Sequence, residues 1–151
     1  MLIMANTRGL NTHLIIENDE ISPLIVQSTY YDTDEFNEFA KKFNHNNNIS
    51  ILNINARSLV KHINELTVIL NEFSIGFDVI TVEETWLNDA LKPLVNLDGY
   101  TFITKHKRQC KEGGGIGIYV KDGIDYVERN DLSCPDDIND SFSYMFIEVK
   151  N

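Results

Sequence analysis

Ile51-Leu-Asn-Ile-Asn-Ala-Arg-Ser-Leu59 and, further on, Asp78-Val-Ile-Thr-Val-Glu-Glu-Thr-Trp-Leu87 are the stretches that decide the fold. Residues 49–54 are compact and rich in β-branched and apolar side chains, as a buried strand requires. Between the two stretches Leu59, Ile63, Leu66, Leu70 and Phe73 recur at steps of four and three. That is one apolar stripe of a helix over about residues 58–73. Gly76 stands just beyond it, at a chain turn, and residues 78–82 predict a second buried strand. Strand, helix, strand predicts a parallel pair joined by a crossover helix, which sends both carboxyl ends to the same edge of the sheet.

Working outward, residues 100–104 predict a third strand. Gly113, Gly114 and Gly115 lead into a fourth, with Ile116, Ile118 and Val120 on one side and Gly117 and Tyr119 on its outer face. Tyr126 and Val127 form a short fifth, and residues 142–149 read as a sixth. The pattern predicts an α/β (α+β layered) domain over residues 49–151, a mixed sheet with flanking helices. The last strand leaves no following sequence to supply its neighbour. About one sheet's worth of strands is therefore expected, with an unpaired edge and an apolar face.

Upstream, Asp32 or Thr33 caps a short amphipathic helix, with Asp34 and Glu35 in its first turn and Phe36, Phe39, Ala40 and Phe43 at helical spacing. The Asn-rich run 44–48 ends it, so residues 31–48 read as helix plus linker. Residues 1–30 show no sustained period. Leu14–Ile16 and Leu24–Val26, around Pro23, fit either a loose strand or a poorly ordered arm.

The 42% hydrophobic content is enough for a core. No run of eighteen apolar residues exists to span a membrane, and Asn6 and Arg8 interrupt the opening Met-Leu-Ile-Met before a signal-peptide core can form. A nuclear or cytoplasmic protein, not secreted, is expected. Cys110 and Cys134 lack CxxC metal spacing and read as free thiols. The net charge of −10 is unusual for a nucleic-acid binder. Residues 1–49 carry 3 basic and 7 acidic side chains, residues 50–151 carry 10 and 16, so both parts are acidic. One cluster departs from this: Lys105, Lys107, Arg108 and Lys111, with His106 among them and no acid in residues 105–111. It is either a solvated basic loop or a phosphate-contacting patch.

Polar residues stand at the ends of the two central strands: Asn53 and Asn55 on the first, Glu84 after the second. Ligands of open α/β sheets collect at the edge to which these residues are directed. A carboxylate with amide neighbours suits a hard cation such as Mg²⁺, which takes one or two protein carboxylates and keeps waters for a phosphate to displace. The bland reading is an Asn that satisfies a turn and a solvated Glu.

The ordered set of Ile51–Leu59, the helix, Asp78–Leu87, Gly99-Tyr100 and Gly113–Val120 resembles the endonuclease/exonuclease/phosphatase superfamily. It is most similar to the apurinic-type endonuclease domain of LINE-like (non-LTR) retrotransposons, and Tyr30-Tyr-Asp, Phe36-Asn and Phe39 look like the lead-in to that domain. The resemblance implies the N-terminal part of a DNase I-like α/β sandwich, with a reverse transcriptase fused to the parent protein. It implies that Asn53 helps hold the metal and scissile phosphate, and that Glu84, directly before Thr85 and Trp86, binds the metal. Asn55 stands where many repair relatives carry an Asp near the metal, and Glu83 where relatives vary, an outer acid. Arg57 and the Lys105–Lys111 loop (Lys105, Lys107, Arg108, Lys111) become contacts to the DNA backbone that position without reading sequence. The glycine run is not a phosphate cradle, because no helix with a Lys follows it.

The later motifs of that family, an Asp-x-Asn after a Gly and a C-terminal Asp-His pair, do not occur in these 151 residues. None of His13, His45, His62 and His106 follows an Asp, and Asp137-Ile-Asn139 sits in a Pro-containing loop. The resemblance thus implies a truncated Mg-dependent endonuclease domain that keeps part of the metal site and does not cleave DNA alone. The alternative is a small non-enzymatic interaction protein using an exposed sheet face.

Overall fold

The structure is a computed structural model that describes residues 2–4, 30–42, 48–105, 113–133 and 144–150. In chain order its elements are β1 (Leu2–Met4), α1 (Thr33–Ala40), β2 (Ile51–Asn55), α2 (Leu59–Glu72), β3 (Val79–Glu83), a 3-10 turn (Lys92–Val95), β4 (Tyr100–Lys105), β5 (Ile116–Lys121), β6 (Tyr126–Glu128) and β7 (Phe146–Val149). The four-stranded sheet runs β2-β3-β5-β4. β2 and β3 are parallel, while β5 is antiparallel to both β3 and β4. The expected mixed α/β architecture is what the chain adopts.

The start of the parallel pair is locked by a reciprocal contact. Asp78 Oδ2 accepts from the Ser50 backbone N–H at 2.8 Å and from its hydroxyl at 2.9 Å, and Ser50 Oγ accepts from the Asp78 N–H at 3.0 Å. A one-residue slip moves every side chain to the opposite face, so fixing this end fixes which residues share a face at the other. Ile51, Asn53 and Asn55 lie on one face of β2, in register with Val79, Thr81 and Glu83 of β3.

Both faces of the sheet are covered. On one, α2 buries Leu59 and Leu66 against Leu52, Ile80, Val82 and Tyr119. The outer face expected for Gly117 and Tyr119 is therefore interior. Tyr119 is fully buried, its hydroxyl donates to the Val95 carbonyl, and its ring lies 4.4 Å from that of Phe102. On the other face Met145, Ile147 and Val149 pack with Val79, Ile103, Ile116, Ile118 and Val120.

That second contact corrects the expectation of a single sheet's worth of strands and an unpaired last one. β7 pairs antiparallel with β6 on one side and with β1 on the other, giving a second, three-stranded sheet in the order β1-β7-β6. The missing neighbour comes from the first residues of the chain, which no local period in the sequence reveals.

α1 begins at Asp32, whose side chain accepts from the Glu35 N–H at 2.9 Å while Glu35 accepts from the Asp32 N–H at 3.2 Å, a capping box. Phe36 sets its ring against Phe73 and Phe77. Asn37 donates to the Glu72 carbonyl at 2.9 Å and accepts from the Ser74 N–H at 2.7 Å. A helix end leaves carbonyls without intrahelical partners, and α1 supplies one to the last turn of α2. Among the described residues no helix is long and apolar enough to cross a membrane.

Candidate metal centre

The carboxyl ends of β2 and β3 continue as three hydrogen-bonded lanes. Ala56, Ser58 and Leu59 donate their backbone N–H groups to the carbonyls of Glu83, Glu84 and Thr85. On the far side Thr85 and Trp86 donate to Gly115 and Gly114. Four non-glycine residues here take left-handed backbone: Arg57 (φ 42°), Ser58 (φ 87°), Glu84 (φ 54°) and Trp86 (φ 52°). Such residues cost on the order of 1–3 kcal/mol each and persist where the surroundings over-determine them, which is commonest at functional sites. Gly113, Gly114 and Gly115 also have positive φ, a conformation glycine adopts without a Cβ clash.

Register puts Asn53 opposite Thr81 and Asn55 opposite Glu83. Thr81 Oγ1 donates to Asn53 Oδ1 at 3.0 Å, and Asn53 in turn hydrogen-bonds the Glu83 carboxylate. Glu83 is only 3% exposed. Burial pushes its carboxyl above the ordinary glutamate range, the Asn53 hydrogen bond opposes that, and the charge of Glu84 adds to it. Glu83 Oε1 and Asn55 Oδ1 are both buried and have no hydrogen-bond partner.

Glu84 occupies a different environment. Its Oε2 accepts from the Trp86 indole N–H at 2.8 Å and from the Gly114 backbone N–H at 2.9 Å. It fastens the loop after β3 to the entry of β5.

Of the residues singled out in the sequence, Asn53, Asn55 and Glu84 reach one edge of the sheet, as the parallel crossover dictates. Arg57 is exposed in the turn between β2 and α2 at that edge. Lys105 ends β4 there too, since it pairs with Ile116, which pairs with Glu83. Lys107, Arg108 and Lys111, Cys110 and Cys134, and Asp137-Ile-Asn139 lie outside the described residues. His62 sits in the first turn of α2, its Nδ1 2.7 Å from Glu65.

Glu83, read from the sequence as an outer acid, lies on the same face as Asn53 and Asn55. The signal was present as alternation: in a parallel register Asn53 and Asn55 face Thr81 and Glu83, so the strand's last residue and not the one after it shares their face.

Among the described residues no three His, Cys, Asp or Glu side chains form a metal-holding group. Any cation here draws on carboxylate plus amide oxygens, a donor set for a hard ion such as Mg²⁺ and not for a soft one. Three buried side-chain oxygens here have no hydrogen-bond partner, Thr85 Oγ1 being the third, and those of Asn55 and Glu83 fit that chemistry, because a buried acceptor with nothing to accept costs about 1–3 kcal/mol. Compared with family models, curated proteins and solved structures, the chain matches none.

Proposed function

We propose that the β2–β3 edge is the cation- and phosphate-binding side of a metal-dependent phosphodiesterase domain acting on DNA. The observation that carries this reading is one of placement: Asn53, Asn55, Glu83 and Glu84 share an edge with the basic Arg57 and Lys105. Its kinship to LINE-like endonuclease domains rests on the motif order of the sequence.

A bound Mg²⁺ supplies polarisation of a phosphoryl oxygen and a more acidic water. The chain's own residues divide the rest. Arg57 and Lys105 neutralise backbone phosphates on either side of the edge. The amides and carboxylates hold the cation between them, and Glu84 keeps Trp86 and Gly114 in place around it. An acid–base partner contributes typically about 10²–10⁴-fold to such a reaction. The family's later Asp-x-Asn and Asp-His motifs do not occur in the sequence, so the reading is of a chain that binds DNA and does not cut it.

The test is supercoiled plasmid incubated with the purified chain and Mg²⁺. The expected result is weak, salt-sensitive DNA binding without nicking. Nicking lost in Glu84→Ala overturns the non-cleaving part; no DNA binding at low salt overturns the whole reading.

A further inference from the structure

The two carboxylates at the β2–β3 edge are not equivalent. Glu84 Oε2 is engaged by two N–H donors, at 2.8 and 2.9 Å, and a cation on that oxygen has to compete with both. Asn53 is engaged as well: its Oδ1 takes the Thr81 hydroxyl, and it is bonded to Glu83. Glu83 Oε1 and Asn55 Oδ1 have no such donor, and with the hydroxyl of Thr85 they are the buried side-chain oxygens without a hydrogen-bond partner among the described residues. Glu83 and Asn55 are directly opposite in the parallel ladder, on the same face.

Two neighbouring buried acceptors cannot satisfy each other, since each offers only lone pairs. A donor or a cation placed between them satisfies both. Neither oxygen takes a hydrogen bond from Arg57 or Lys105, the two basic residues at this edge. Thr81 holds Asn53, and Asn53 holds the Glu83 carboxylate, in the way outer partners orient metal ligands, while the backbone of Asn55, the last residue of β2, is pinned between the ladder and the Ala56–Glu83 backbone bond.

We propose that Glu83 Oε1 and Asn55 Oδ1 are the protein ligands of a divalent hard cation, with Asn53 and Thr81 as positioning residues and Glu84 as a loop latch. This rests on the cation-binding reading above and reverses the roles that the sequence motif assigns to the two adjacent glutamates. One carboxylate and one amide leave the remaining positions of an octahedral ion to water.

The experiment uses Mn²⁺ as the probe, bound ion being counted by electron paramagnetic resonance on the full chain. Circular dichroism melting checks each variant's fold. Wild type is expected to bind one Mn²⁺, displaced by Mg²⁺, and to melt at higher temperature when it is present. Glu83→Gln keeps the shape and removes the charge. It is expected to weaken Mn²⁺ binding at least tenfold, to melt no lower than the cation-free wild type, and to gain nothing from Mn²⁺. Asn55→Ala, an independent variant, is expected to weaken binding at least threefold. Glu84→Gln is expected to hold Mn²⁺ within threefold of wild type while shifting the emission of Trp86, the chain's one tryptophan. Loss of binding in Glu84→Gln as large as in Glu83→Gln, or unchanged binding in both Glu83→Gln and Asn55→Ala, overturns the assignment and leaves the cation-binding reading standing. A wild type that takes up no Mn²⁺ ends both.

Discussion

Asn55 and Glu83 stand opposite each other in the β2–β3 ladder, and each buries a side-chain oxygen without a hydrogen-bond partner. Isolated buried charge is costly and is retained when it is paired or coordinates an ion. The pair lies beside four left-handed non-glycine residues, so strain, buried polarity and basic side chains meet at one end of an otherwise apolar sheet.

Asn53 bridges Thr81 and Glu83 and orients the carboxylate. Asn53→Ala removes both contacts without touching the proposed ligand oxygens. It is expected to weaken Mn²⁺ binding about three- to tenfold, and Thr81→Val, which deletes only the outer hydroxyl, by less. Titration followed by Trp86 fluorescence checks the order; a Thr81→Val effect larger than that of Asn53→Ala contradicts it.

Asn37 ties α1 to the end of α2 through Glu72 and Ser74. Asn37→Ala loses two hydrogen bonds at an exposed helix end, and a net hydrogen bond contributes about 0.5–1.5 kcal/mol. Urea unfolding of the variant is expected to show a loss of about 1 kcal/mol with an unchanged slope.

Gly117 leaves no room for a side chain. A Cβ built there lies 2.5 Å from Phe102 Cε2 and 2.6 Å from Cζ, and that ring is held against Tyr119. Gly117→Ala is expected to cost about 1–3 kcal/mol by overpacking. Combining it with Phe102→Leu is expected to recover part of that loss, so the pair is non-additive. Thermal melting of the two single variants and the double variant reads the coupling.

Burial raises the Tyr119 hydroxyl well above its ordinary value. A folded-state value above the unfolded one means the neutral phenol's contribution is complete below the unfolded value of about 10 and is lost as pH rises beyond it. Melting temperature is therefore expected to fall from about pH 10 upward, and to fall less steeply in Tyr119→Phe. Tyr100 and Tyr126 are raised in the same direction, so the variant blunts the alkaline loss without abolishing it.

Much of the central sheet was legible in the sequence. Apolar spacing located α2, expected over about residues 58–73 and found at Leu59–Glu72, and the β-branched runs located β2 and β3, found at Ile51–Asn55 and Val79–Glu83. Strand, helix, strand then placed Asn53, Asn55 and Glu84 at one edge, because the crossover leaves no other parallel solution. The second sheet was not legible. β1 is three residues long and pairs with β7 across nearly the whole chain, a contact that no local periodicity encodes. The distinction between Glu83 and Glu84 was not legible either. It depends on the residue at which β3 stops and the backbone turns left-handed, and adjacent identical side chains differ only in that.

The most direct test of the account is a crystal of this chain grown with Mn²⁺ and measured for anomalous scattering. One anomalous peak is expected at the β2–β3 edge, in ligating contact with Glu83 Oε1 and Asn55 Oδ1, with Glu84 still bonded to Trp86 and Gly114. A peak on Glu84 alone, or none at this edge at a Mn²⁺ concentration that saturates other carboxylate sites, contradicts it.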